Sequence, residues 1–75
     1  MSKTTDNRLA NVRIGRVIAA ARTLKGLTQG DLAQKCGTHQ TIVSQVESGK
    51  ASTWQILRVW TTLGLGLRDL ETAAR

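Results

Sequence analysis

The hydrophobic positions of the chain recur at helical spacing, and glycines separate the stretches in which they recur. The first stretch places apolar residues three or four apart: Ile14, Val17, Ile18, Ala21 and Leu24. Residues at this spacing share one side of a helix. We therefore predict a first helix that starts at residue 7 or 11 and ends at residue 25, where Gly26 can close it in the left-handed conformation.

A second apolar stretch follows a sequence that favours the start of a helix. Thr28 and Asp31 stand three residues apart, as in a capping box with Asp in place of Glu. We predict a second helix at about residues 28–36, closed by Gly37. Its inner residues are Leu32, Ala33 and Cys36.

A third helix is predicted at about residues 40–48, and its two faces differ in chemistry. Val43 and Val46 share the inner face, and Gly49 closes the helix. The outer face carries uncharged polar side chains: Gln40, Thr41, Ser44, Gln45 and Ser48. A helix that is merely solvated would more often carry Lys and Glu on that side.

The rest of the chain completes an all-α pattern. Ser52 or Thr53 can cap a fourth helix over residues 54–63. Leu67 and Leu70 with Asp69 suit a short helix at residues 65–75, whereas Leu63, Leu65 and Leu67 alternate as in a strand, and we favour the helix. Proline and alternating β-branched runs are absent, so we predict a compact all-α bundle of four to five short helices. Residues 1–7 are expected to form a flexible arm, and residues 8–75 one domain.

The composition narrows the class of protein. The chain has 75 residues, enough for one small domain, and its single cysteine, Cys36, excludes an internal disulfide. No run approaches the roughly 20 apolar residues of a membrane helix, so we expect a cytoplasmic protein without a membrane partner. One histidine, with no metal-ligand set and no paired nucleophile and base, predicts neither an enzyme nor a cofactor.

The charge and the third helix together point to DNA. A formal net charge of +6 suits a polyanionic partner. Two short helices joined by a turn that contains a glycine form a helix-turn-helix, whose second helix enters the major groove of double-stranded DNA. Gln can pair with adenine through two hydrogen bonds, and Ser and Thr can serve several bases, so the polar face fits base reading.

The same stretch resembles a known family. The matching residues are Leu27-Thr28-Gln29, Leu32-Ala33, Gly37, Gln40, Val43-Ser44, Val46-Glu47 and Gly49-Lys50. They are similar to the helix-turn-helix of the Cro/C1-type (xenobiotic-response-element) regulators, in particular the heads of lambdoid phage repressors. The resemblance covers residues 14–63 and implies the lambda-repressor-like DNA-binding fold.

The resemblance also implies roles for individual residues. It assigns base readout to Gln40, Thr41, Ser44 and Gln45, although Ser44 could equally be part of a solvated polar face. It assigns contacts with the DNA backbone to Gln29 and Lys50. It implies a structural ion pair between Arg22 and Glu47, which would neutralise an acid close to DNA.

Two features depart from the family pattern. The third helix is usually capped by Ser or Thr, but His39 stands at that position, so Thr38 is expected to cap instead. His39 could contact a phosphate if partly protonated, or be an ordinary exposed histidine. The segment between Gly49 and Ser52 is shorter than in many relatives and carries only Lys50.

These observations favour a transcriptional repressor, cytoplasmic in a prokaryotic cell or encoded by a phage or plasmid. We expect a homodimer on a palindromic operator, with Leu65, Leu67 and Leu70 in the dimer contact and Trp54 as a contributor. The alternative for these leucines is that they cover the bottom of the core. The alternative function is an antitoxin that regulates its own operon and also binds a toxin protein.

Overall fold

The chain folds into five helices and no strand over the part that the computed structural model describes, residues 3–75, with side chains from Arg8 onward. The helices are α1 (Lys3–Leu24), α2 (Gln29–Cys36), α3 (Gln40–Glu47), α4 (Thr53–Thr62) and α5 (Leu67–Ala74). The predicted all-α class is therefore confirmed.

Helix α1 starts earlier than the apolar pattern indicated. It begins at Lys3, so residues 3–7, which were expected to belong to an arm, continue the helix. These residues include neither glycine nor proline, so nothing in them interrupts helical hydrogen bonding. Met1 and Ser2, the rest of the expected arm, lie outside the described residues.

Side chains fix the starts of α2 and α4. The Asp31 N–H donates to Thr28 Oγ1 at 3.0 Å, and the Thr28 N–H donates to Asp31 Oδ2 at 2.9 Å, which completes the predicted capping box. Ser52 and Gln55 form a second box with distances of 3.3 and 3.2 Å. Ser52, rather than Thr53, is therefore the cap of α4.

The core lies between the first four helices. Its fully buried large side chains are Ile18, Leu32, Val43, Val46, Val59 and Trp60. Cys36 is also buried, as its place on the inner side of α2 predicted. The indole N–H of Trp60 donates to the Gly66 carbonyl at 2.8 Å, so the polar atom of this buried ring is satisfied and the turn into α5 is held.

Helix α5 packs on α1, and this packing changes the interpretation of the C-terminal leucines. The Gly66 N–H donates to the Asp69 carboxylate at 3.0 Å, which favours a helix over the alternative strand. Leu65 and Leu70 are half-buried against the core. Only Leu67 stays exposed, at 77%. Leu65 and Leu70 therefore pack against the core, as the alternative for these leucines expected, and the dimer contact remains a prediction.

Two glycines allow α1 to cross the end of α3 at short range. A Cβ added to Gly15 would lie 2.6 Å from the Val46 carbonyl oxygen and closer still to that of Glu47. Gly49 has a φ of +81°, and a Cβ there would lie 2.9 Å from the Val12 backbone nitrogen. Only glycine fits either position without a displacement of backbone. The close contact fixes the C-terminal end of α3 against α1.

Candidate nucleic-acid interface

Helices α2 and α3 form a helix-turn-helix whose turn is set by Gly37. This glycine has a φ of +70° and closes α2, and α3 begins three residues later. Val43 and Val46 are fully buried beneath α3. The four candidate readout side chains, Gln40, Thr41, Ser44 and Gln45, are all exposed. One face of α3 therefore offers amide and hydroxyl groups to solvent while the other anchors it in the core.

The start of α3 has no side-chain cap. His39 occupies the capping position in an extended conformation, and its exposed ring makes no capping hydrogen bond. Thr38 was expected to cap in its place, but it lies one residue before the capping position. The His39 carbonyl instead accepts the N–H groups of Ile42 and Val43 at 3.0 and 3.3 Å.

An ion pair underlies α3 where the resemblance placed one. The Arg22 Nε donates to Glu47 Oε2 at 2.6 Å, and Nη2 donates to Oε1 at 3.3 Å. The Nη1 group donates to the Leu27 carbonyl at 2.7 Å. The hydrogen bond with Glu47 raises the pKa of Arg22 above its ordinary value, although partial burial opposes this shift. The guanidinium of Arg22 thus compensates the negative charge that Glu47 places on α3.

Gln29 belongs to the same hydrogen-bonded network. Its amide nitrogen donates to Glu47 Oε1 at 3.0 Å, and its side chain is half-buried between α2 and α3. An amide nitrogen has two N–H groups, so the bond to Glu47 leaves one for a phosphate oxygen. The Gln29–Glu47 bond could not be predicted from the sequence, because the two residues are 18 apart and no local spacing connects them.

The first turn of α2 lies beside the start of the exposed polar face of α3. A Cβ added to Gly30 would be 3.8 Å from the Gln40 side-chain oxygen, which is ordinary van der Waals contact. The amide of Gln40 therefore extends over α2 as well as toward solvent.

Three basic residues and one tryptophan lie next to the helix-turn-helix. Lys50 is exposed directly after α3, and Arg8 of α1 lies across a shared cleft from it. Arg58 donates to the Cys36 carbonyl at 2.5 Å and so caps the end of α2, a role that its sequence context did not reveal. Trp54 is 70% exposed and lines a pocket with Ile42 at the side of α3.

The described residues contain neither a cluster of metal-ligand side chains nor a membrane-spanning helix. No group of three or more His, Cys, Asp or Glu side chains among residues 8–75, whose side chains the structure describes, could hold a metal ion. No helix within residues 3–75 is long and apolar enough to cross a membrane.

Comparisons with known proteins agree with the geometry. The sequence model of the Helix-turn-helix family matches residues 18–53, which include α2, α3 and the last two turns of α1, where Arg22 lies. A search of curated proteins gave no match. The matched segment coincides with the ion pair, the glycine turn and the exposed polar face described above. The helix-turn-helix of this chain thus belongs to the Cro/C1-type family, and the protein is a DNA-binding transcriptional regulator.

Proposed function

We propose that the protein is a repressor that binds a palindromic operator as a homodimer and reads it through α3. One observation carries the proposal. Gln40, Thr41, Ser44 and Gln45 share an exposed face of a helix whose opposite face is buried. An array of groups that both donate and accept hydrogen bonds is what the distinct base edges of a major groove require.

The surroundings of α3 support the same function. Glu47 is paired with Arg22, so an acid on the recognition helix does not repel the phosphates. Gln29 retains one amide N–H for a backbone contact, and Lys50 and His39 are exposed at the two ends of α3. Contacts of this kind position the helix, whereas the base contacts select the sequence.

The proposed dimer follows from the size of the reading surface. One recognition helix contacts only a few base pairs, too few to distinguish an operator among many competing sites. Two copies on half-sites about one helical turn apart double the information read. A repressor then acts by occupying DNA that the transcription machinery needs.

The test is to select the operator from random duplexes and then to measure Gln40→Ala and Gln45→Ala on it. Each variant is expected to lose about 1–3 kcal/mol of discrimination at one or two base pairs per half-site, because a bidentate contact disappears. Affinity for unrelated duplex should change little. Binding titrations on the selected operator and on single-base variants measure both quantities.

Gln34→Ala is the matched control. Gln34 is an exposed glutamine of α2, outside the proposed reading face, so its removal should leave the base preference intact. Parental discrimination in both α3 variants would contradict the readout assignment. An equal loss in the Gln34 variant would mean that the effect is not specific to α3.

A second candidate function is an antitoxin that represses its own operon and binds a toxin protein. The exposed apolar side chains of Leu67 and Trp54 favour it, because such groups suit contacts between proteins. A toxin reading frame beside this gene, and a complex of both products on the shared upstream DNA, would support this function over simple repression.

A further inference from the structure

A cleft with two basic side chains runs beside the end of α3. Arg8 and Val12 of α1 form one wall, and Ser48, Gly49 and Lys50 form the other. The cleft has a volume of 430 Å³. Both charged residues that line it are cations, and both are exposed, so the positive potential of the cleft reaches solvent.

Backbone contacts fix the spacing of the two walls. Gly49 lies so close to Val12 that a Cβ on it would approach the Val12 Cα to 2.9 Å. The Lys50 N–H donates to the Gln45 carbonyl at 2.8 Å, which ties the second wall to the last turn of α3. The cleft is therefore set by the same crossing of α1 and α3 that positions the recognition helix.

The location of the cleft decides what it can meet on DNA. Ser48 follows α3 directly and Lys50 comes two residues later, whereas Gln45 belongs to the face proposed to read bases. When α3 lies in the major groove, residues just beyond its end reach the edge of the groove, where the phosphates lie. Double-stranded DNA carries about one negative charge per 1.7 Å of its axis, which complements the two cations.

Resting on the function proposed above, we infer that this cleft binds a backbone phosphate of the operator, with Arg8 as a contact residue opposite Lys50. The ligand is a DNA phosphodiester, recognised without regard to base. The guanidinium of Arg8 can donate two parallel hydrogen bonds to phosphate oxygens, and Lys50 adds a compact charge on the other side. Arg8 thereby extends the DNA-contacting surface from the helix-turn-helix to the first part of α1.

The experiment compares Arg8→Ala, Lys50→Ala and Arg68→Ala by the slope of log K against log salt, on the selected operator and on an unrelated duplex. Arg68→Ala is the matched control, because it removes an exposed cation that does not line the cleft. Arg68 lies on α5, which packs on α1. Each cleft variant should lower the magnitude of the slope by about 0.9 per bound copy of the chain on both duplexes, the value for one phosphate contact. Arg68→Ala should leave the slope unchanged. Circular dichroism checks that each variant keeps its helices.

The outcomes separate this inference from the proposed function. Parental slopes in Arg8→Ala, or an equal decrease in Arg68→Ala, would overturn the phosphate contact while operator recognition stands. A parent protein that prefers no selected duplex over random DNA would overturn the proposed function and the inference with it. Arg8→Lys, which keeps the charge, should retain most of the slope if the cleft holds a phosphate, and a full loss would count against it.

Discussion

The guanidinium of Arg22 serves two acceptors on different segments. It binds the carboxylate of Glu47 on α3 and the carbonyl of Leu27 just before α2. Only 17% of the Arg22 side chain and 9% of that of Glu47 are exposed. Charges removed from water to this extent are tolerated because they are paired and hydrogen-bonded. Loss of either partner leaves the other with an uncompensated charge.

Arg22→Ala should therefore destabilise the protein even without DNA. A fully buried pair that loses one partner costs roughly 3–5 kcal/mol, and we expect about 2–3 kcal/mol here because water reaches part of both side chains. Urea unfolding, followed by circular dichroism, measures the change in the free energy of unfolding.

Arg75→Ala is the control for this change. Arg75 pairs with Glu71 at 3.2 Å, but 78% and 74% of the two side chains are exposed. An exposed pair of this kind contributes about 0.3–0.5 kcal/mol at most. Equal losses of stability in the two variants would show that the Arg22–Glu47 pair contributes no more to stability than an exposed pair does.

Asp31 gives the start of α2 a dependence on pH. The hydrogen bonds from Thr28 lower the pKa of the Asp31 carboxyl below its ordinary value of 3.8. A carboxyl with a lowered folded-state pKa adds stability above its unfolded pKa and loses it as pH falls through the folded value. The difference in Tm between the parent and Asp31→Asn should therefore be constant near neutrality and shrink as the pH falls below the ordinary pKa of an Asp carboxyl. A difference that does not vary with pH would contradict this role.

Sequence reasoning at the residue scale worked where a motif joins neighbours in the chain. Thr28 and Asp31 were predicted as a capping box from their spacing, and the box is present. The role of Arg22 came from a family resemblance, because nothing local connects it with Glu47. The role of the C-terminal leucines stayed open for the same reason: their apolar character was visible, but the packing of α5 on α1, which half-buries Leu65 and Leu70, was not.

At the scale of elements, the most important feature is the close packing of α3 against α1. Gly15 and Gly49 permit the two helices to approach until backbone meets backbone. Helix α3 has only eight residues, too few to be stable alone, so it depends on its packing against α1 and on its buried valines.

Gly15→Ala should disturb the packing of α3 against α1. Alanine favours a helix by about 1 kcal/mol over glycine, but its Cβ would lie within 3 Å of two carbonyl oxygens of α3. Overpacking of this kind costs roughly 1–3 kcal/mol or more, so we expect a net loss of stability and weaker operator binding. Thermal unfolding and DNA titration measure the two effects.

Gly30→Ala provides the comparison within a helix. The nearest atoms to its added Cβ are 3.7 and 3.8 Å away, so the substitution should be neutral or stabilising. If Gly15→Ala behaved like Gly30→Ala, the close approach of α1 and α3 would not limit the choice of residue.

The elements themselves were largely predictable. Glycine stops and side-chain caps marked α2, α3 and α4 to within about two residues. The start of α1 was less visible, since residues 3–7 carry no cap and no apolar period. The packing of α1 against α3 could not be predicted from the sequence, because it depends on the close approach of two backbones rather than on a pattern of side chains.

At the scale of the whole molecule, the single chain leaves Leu67 uncovered. Its side chain is 77% exposed at the start of α5, whereas Leu65 and Leu70 pack inward. We expect Leu67 to contribute to the proposed dimer contact. Leu67→Gln should therefore shift the protein toward monomer and weaken operator binding without unfolding it, as sedimentation equilibrium and DNA titration would measure.

Leu24→Gln is the matched control for that change. Leu24 is 89% exposed at the end of α1, so both variants remove an exposed leucine side chain. Monomer formation only in the Leu67 variant would support the assignment. A dimer that persists in Leu67→Gln would place the contact elsewhere on the molecule.

The two tryptophans, both on α4, differ in a way that is useful for every measurement above. Trp60 is completely buried, and its indole N–H donates to the Gly66 carbonyl, whereas Trp54 is 70% exposed beside α3. The chain has no tyrosine or phenylalanine, so its near-ultraviolet absorption and fluorescence come from these two rings. Fluorescence from Trp60 reports the integrity of the core, and fluorescence from Trp54 reports events at the exposed surface beside α3. Folding and binding thus have separate intrinsic optical signals in the same small protein.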